Sequence, residues 1–324
     1  MCTCMNFKTK DIYFGRTMDL DYSFNERVVV TPRNYEFKLN SGNIFYNKYA
    51  FIGAASVVDE YPLYAEATNE KGLSIAALNF PENAYYSSYN KEKNNITSFE
   101  LIPWVLGNFT TIEDLSANLN DLNITDMPFS SSLPVSPLHW MVSDGQDCIV
   151  LEQMKEGLKA VYNPVGILTN NPPFSYQLTN INNYMNLTPD MSNNRFSDKI
   201  KLSCYSLGMG AIGLPGDNSS ASRFVRAAFN KLNSVTGEDE DDSVSQFFHI
   251  LDTVIVVRGT TMTEGKKWNM TTYTCCMNTS KGIYYYKTYN NSQITAIKLN
   301  NENINSKDLT IYELENKQQI KYLN

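Results

Sequence analysis

Met1-Cys2-Thr3-Cys4-Met5-Asn6-Phe7-Lys8 begins this 324-residue chain, and its second residue governs how the rest is read. A small residue after the initiator lets Met1 be removed, which would leave Cys2 as a free N-terminal cysteine. Such a residue holds a nucleophile and a base together. Its α-amine titrates near about 7.7–8.0 and its thiol near about 8.5, so close to neutrality the amine can take the thiol proton without a histidine. The chain has only two histidines, His139 and His249. His139, in Pro137-Leu138-His139-Trp140, stands at the start of an apolar segment and reads as a hydrogen-bonded structural residue. His249 falls on an apolar helix. Neither context fits a Ser-His-Asp or Cys-His hydrolase, so a hydrolase built on this sequence moves its proton by another route.

Composition narrows the classes further. Hydrophobic residues make up 42% and aromatics 12%, enough for a large core with aromatics left to line a pocket. A net charge of −7 and the absence of a polybasic stretch argue against nucleic acid or an anionic membrane as partner. The first twenty residues lack an apolar stretch flanked by basic residues, and no later run of about 18 apolar residues occurs. The expectation is a cytoplasmic protein. Six cysteines without framework spacing should be free thiols there. Cys2-x-Cys4 and Cys275-Cys276, with two histidines and no pair of C-x-x-C knuckles, do not make a zinc set, so neither metal nor cofactor is expected.

Alternation predicts strands at 12–16, 27–30, 51–55, 73–78, 140–143, 148–152 and 158–162, with a tight turn at Asp144-Gly145. Further strands are predicted at 271–277, 282–289 and 293–299. Helical spacing appears at 98–106, at 111–122 with Thr111 as cap, at 220–232 and at 244–256. The acidic run 238–242 reads as a solvated loop before the last helix, its acids suited to that helix's N-terminus. No linker or repeat divides residues 1–324. The expectation is one α+β domain, two antiparallel sheets covered by helices.

Four segments accompany Cys2. They are Phe14-Gly15-Arg16-Thr17-Met18-Asp19, Ala77-Leu78-Asn79-Phe80-Pro81, Leu168-Thr169-Asn170-Asn171-Pro172-Pro173, and Leu214-Pro215-Gly216-Asp217 leading to Ser222-Arg223-Phe224-Val225-Arg226. In this order the chain resembles, over essentially its whole length, the choloylglycine hydrolase family of bile salt hydrolases and penicillin V acylases. The resemblance implies the N-terminal nucleophile hydrolase fold, a four-layer αββα sandwich, and a homotetramer. It implies that Cys2 is the nucleophile once Met1 is lost. Arg16 and Asp19 would hold the thiol and the terminal amine, Asn170 and the backbone at Asn79 would form the oxyanion hole, and Arg223 would complete the site.

These roles are physically reasonable. A cation near Cys2 favours thiolate, Asp19 can accept from the α-ammonium, and an amide donor to a tetrahedral oxyanion contributes about 10²–10³ in rate. The family tends to carry Asn at position 79 in bile salt hydrolases and Tyr in penicillin V acylases, so Asn79 favours conjugated bile salts as small-molecule substrates. Met18, Phe24, Val58, Ala65, Phe129 and Leu133 lie in segments suited to a sterol cleft. Two enzymatic alternatives, penicillin V acylase and N-acyl homoserine lactone acylase, keep the mechanism. A catalytically silent ligand-binding homologue is the third.

Overall fold

The computed structural model describes residues 1–324. Two antiparallel sheets dominate it. In one, six strands lie in the order 167–168, 2–8, 12–20, 270–278, 283–288 and 291–298. In the other, eight strands run 157–162, 148–154, 138–143, 74–79, 61–69, 51–58, 27–31 and 310–313.

Period-two patterning stacks these layers. Val28 and Val30, Ala76 and Leu78, and Met141 face the six-stranded sheet in one buried cluster. Their neighbours Val29, Ile75, Ala77, Trp140 and Val142 belong to a second cluster with helices Leu101–Asn108 and Ile112–Asn118 on the far side. Phe224, Phe247 and Phe248, from helices Ser220–Asn233 and Glu240–Asp252, cover the six-stranded sheet. The result is the four-layer αββα sandwich.

Several local expectations need correction. The helix expected over 111–122 stops at Asn118, passes through a 3₁₀ turn at Leu119–Asp121, and gives way to the strand Leu122–Thr125. Leu122-Asn-Ile-Thr125 pairs in parallel with Asn94–Thr97, so sheet pairing overrides the helical spacing there. Thr111 is the cap, its hydroxyl accepting from Asp114 N at 3.1 Å. The acidic run at 238–242 is mostly helix: Asp239 caps the helix that begins at Glu240 by accepting from Asp242 N at 2.8 Å. That helix ends at Asp252, not Val256.

Candidate active site

Strand register places Cys2. Cys2 begins the strand Cys2–Lys8 and faces Met18 across one ladder, while Cys4 faces Arg16 on the same side and Leu168 on the other. Continuing the antiparallel register from Cys4/Leu168 brings Asn170 beside Cys2. The Cys2 amide N–H donates to Asn170 Oδ1 at 2.8 Å. The Cys2 sulfur is 3.9 Å from that of Met18. Gly15 lets the next strand approach, because a Cβ there would collide with the Cys275 carbonyl.

Arg16 and Asp19 are an odd number of residues apart, so the pleat sends them to opposite faces. Arg16 points with Cys2 toward the eight-stranded sheet, where its guanidinium donates to the carbonyls of Ala65 and Ala77, and its Nε to that of Thr17. Burial opposes its charge, but the Cys2 sulfur, then Tyr273 and Glu66, outweigh this and raise its pKa. Glu66 Oε2 lies 3.9 Å from Arg16 Nε, and the carboxylate also accepts from Tyr273 and Tyr284 hydroxyls at 2.9 and 2.8 Å.

Asp19 points toward the helical layer. Its carboxylate accepts from Thr271 Oγ1 at 2.7 Å and Thr17 Oγ1 at 3.3 Å, and lies 3.9 Å from Arg223 Nη1. Arg223, buried on the helix Ser220–Asn233, donates to the Cys2 carbonyl, to Thr3 Oγ1 at 2.7 Å and to Asn170 Oδ1 at 2.9 Å. Its desolvation lowers its pKa, against the attraction of Asp19 and Cys2. The sequence reading gave Asp19 the task of receiving the Cys2 nitrogen. With Met1 attached that nitrogen is a peptide amide whose N–H donates to Asn170 Oδ1, and the Asp19 carboxylate lies one contact away, beside Arg223.

Asn170 therefore uses both ends of its amide. With Oδ1 receiving Cys2 and Arg223, its Nδ2 donates to the Asn79 carbonyl at 2.8 Å, leaving one Nδ2 hydrogen without a protein partner. Ser220 Oγ fixes the Asn170 backbone N–H at 2.9 Å. Thr17, Thr271 and Ser220 escape a sequence reading, since hydroxyls carry no distinctive spacing.

Cys2 opens onto a cleft of about 1000 Å³. Met18, Phe24, Ala65, Phe129 and Leu133 line it, with Asn79 at its edge. Val58 does not. Its strand runs on to a turn at Asp59-Glu60, both at positive φ, and carries Val58 past the cleft to pair with Tyr61, so the returning residues Leu63–Ala65 supply that wall. A further wall, Thr261 to Glu264 with Asn269, was not foreseen, because its Thr-rich sequence reads as an ordinary turn before a strand. Met1 also lines the cleft, its nitrogen donating to the Asp19 carbonyl at 2.7 Å.

Comparison with known proteins agrees with this geometry. Residues 2–312 match the linear amide C–N hydrolases of the choloylglycine hydrolase family. The chain is 49% identical over 319 residues to a bile salt hydrolase/transferase of Lactiplantibacillus plantarum, covering 98% of each. It is 40% identical to one of Clostridium perfringens, covering both completely. A crystal structure of the conjugated bile acid hydrolase from Clostridium perfringens, in mutant form, superposes with a TM-score of 0.93 at 39% identity over the full length of both chains. Penicillin V acylase from Agrobacterium tumefaciens shares the fold, with a TM-score of 0.76 at 18% identity over 97% of this chain and 91% of that one. An N-terminal cysteine strand, two buried arginines and an amide pair, set in a sandwich matched along its whole length, make this chain a member of the choloylglycine hydrolase family of linear amide C–N hydrolases.

Proposed function

We propose that the protein hydrolyses the amide bond of glycine- or taurine-conjugated bile salts, with Cys2 as nucleophile after loss of Met1. The observation that carries this reading is the placement of Cys2 at the base of a large, mainly apolar cleft, against Asn170 and Arg223, in a chain 49% identical to a bile salt hydrolase/transferase. The sterol lies along Met18, Leu20, Phe24, Leu63 and Phe129, and the scissile carbonyl reaches the sulfur.

The Cys2 thiolate, favoured by the buried Arg16, attacks that carbonyl and forms a C–S bond. The free Nδ2 hydrogen of Asn170 and the backbone at Asn79 receive the oxyanion. The tetrahedral species collapses, the C–N bond breaks, and the Cys2 α-ammonium gives its proton to the departing amine. Water then adds to the thioester, the α-amine takes the proton from water, and the C–S bond breaks to release the bile acid and restore the thiolate. Asn170 Oδ1 orients the amine throughout, which is the place it already occupies toward the Cys2 nitrogen.

The test is a panel of taurocholate, glycocholate, penicillin V and a long-chain acyl homoserine lactone, at matched pH and below the critical micelle concentration. Steroid amides should show the highest kcat/KM, because remote apolar contacts position the carbonyl. A clear preference for penicillin V would move the chain to the acylase branch and leave the Cys2 chemistry in place.

The same reading includes one domain over residues 1–324, a homotetramer and residence in the cytoplasm. No helix is long and apolar enough to cross a membrane. Supporting the assembly, Phe196, Tyr205 and Leu207 are each more than 80% exposed in the stretch 196–207, apolar side chains that a subunit contact would cover. Light scattering should give four times the chain mass of 36.8 kDa. Leu207→Asp with Tyr205→Asp should reduce it, and a monomeric parent protein would refute the assembly.

A further inference from the structure

The mechanism above uses neither His139 nor Glu152, yet both are almost wholly buried, on adjacent strands near one edge of the eight-stranded sheet. His139 Nε2 donates to the carbonyl of Thr169 at 2.9 Å, and its Nδ1 lies 3.2 Å from Glu152 Oε1. The same Oε1 accepts from the backbone N–H of Phe174 at 2.9 Å. The imidazole ring also stacks on Phe80, with centroids 4.3 Å apart and planes within 6°.

The neighbours of these contacts give them meaning. Thr169 precedes Asn170, and Phe80 follows Asn79. Asn170 Nδ2 and the Asn79 carbonyl meet at 2.8 Å, so the two segments that carry the oxyanion site touch each other in front and the same histidine behind. Glu152 holds both the imidazole and the far end of the 169–174 segment. The strand pairing that ends at Leu168 does not extend to these residues, so the His–Glu pair takes over where the ladder stops. Any buried imidazole needs a partner for each ring nitrogen; here one partner is the carbonyl next to Asn170 and the other a carboxylate that also holds Phe174.

We propose that His139, backed by Glu152, is a positioning residue that sets the Thr169–Asn170 backbone against the Asn79–Phe80 backbone and so aims the oxyanion donors. The inference rests on the oxyanion assignment made under the proposed function. A displacement of about 1 Å at such a site can cost about 10²-fold in rate. Because the oxyanion contact exists only in the transition state, the loss falls on kcat and not on KM.

The experiment compares variants of the full-length processed protein on taurocholate, each with a thermal melt to establish folding. His139→Phe keeps a ring against Phe80 but leaves the Thr169 carbonyl without its donor. Its kcat should fall about 10- to 100-fold, with KM within about twofold. Glu152→Gln keeps an acceptor for the Phe174 N–H and a polar group beside Nδ1 and should lose less rate than Glu152→Ala, which should lose rate as His139→Phe does.

An aldehyde analogue of the bile acid, which adds to Cys2 and places its oxygen in the oxyanion site, should lose affinity in parallel with kcat, while the free acid binds unchanged. Asn170→Ala combined with His139→Phe should be no slower than Asn170→Ala alone, since one acts through the other. Should His139→Phe fail to fold, the two Glu152 variants carry the same comparison, and equal losses in both overturn the proposal. If Asn170→Ala leaves kcat intact, the oxyanion assignment itself is wrong. If Asn170→Ala slows the enzyme but His139→Phe does not, or adds its full loss on top, the assignment stands and the positioning role falls.

Discussion

Cys2 shares the chain with five other cysteines, and burial disarms four of them. It pushes the Cys148 thiol up to about 12, against a partly compensating Lys231, and holds Cys4, Cys275 and Cys276 well above their ordinary range. A thiol kept protonated is a poor nucleophile, so iodoacetamide near neutral pH should label Cys2 and the more exposed Cys204 only. Peptide mapping checks this, and inactivation through another cysteine with Cys2 unmodified would refute the assignment. Cys2→Ser should lower kcat by at least about 10³-fold with little change in melting temperature, since the hydroxyl keeps the shape but stays protonated. Protein forced to retain Met1 should bind substrate without turning it over, because its Cys2 nitrogen is an amide. Intact mass and an assay on one sample decide this. Cys2 stands out by its place after Met1, Asn79 as an amide ending an apolar run and Asn170 as an amide before two prolines, while Arg16, Asp19 and Arg223 stand out through the resemblance of their segments to the family. Which atom meets which was not: Asp19 and Arg16 look like neighbours in sequence, but the pleat places them on opposite faces.

The helix Ser220–Asn233 shows how a loop serves an element of the candidate site. Asp217 Oδ1 accepts from Ser219 N at 2.9 Å and Oδ2 from Ser222 Oγ at 2.6 Å, just before the turn that carries Arg223. The Ser219 and Ser222 side chains, then the Ser219 backbone, hold its carboxyl down from 3.8 to about 2. With the folded pKa below the unfolded one, this contribution is fully present above about pH 4 and lost as pH falls through about 2. Its exposure limits the effect to on the order of 1 kcal/mol or less. Melts across this range should show Asp217→Asn below the parent near pH 5 and level with it near pH 2; a gap that persists in acid would exclude the linkage. The Pro215-Gly216 turn and the helical spacing over 220–232 made this helix easy to see. The strand Leu122–Thr125 was hidden because its partner, Asn94–Thr97, lies far back in the sequence and helical spacing runs as far as Leu122.

Across the whole molecule, each buried arginine of the site has one carboxylate 3.9 Å away, Arg16 with Glu66 and Arg223 with Asp19. Glu66 belongs to one sheet and its tyrosine donors, Tyr273 and Tyr284, to the other, so it ties the layers together at the core. Glu66→Ala leaves Arg16 without its partner and should cost about 3–5 kcal/mol in urea unfolding. Glu66→Gln, which keeps an acceptor for the tyrosines, should cost less; equal costs would show that neither charge nor hydrogen bonding at this position matters. The layers were legible from alternation, but Glu66 was not, because an acid inside an apolar strand acquires its partners only when the sheets stack. The strand Cys2–Lys8 has one further consequence. It is hydrogen-bonded on both edges, and its first residues are walled in by Asn170, Arg223 and Asp19, whereas residues 315–324 at the opposite terminus lie outside every strand and are mostly exposed. A purification handle or a surface tether therefore belongs after Asn324, since anything fused ahead of Cys2 would consume the amine and obstruct the cleft.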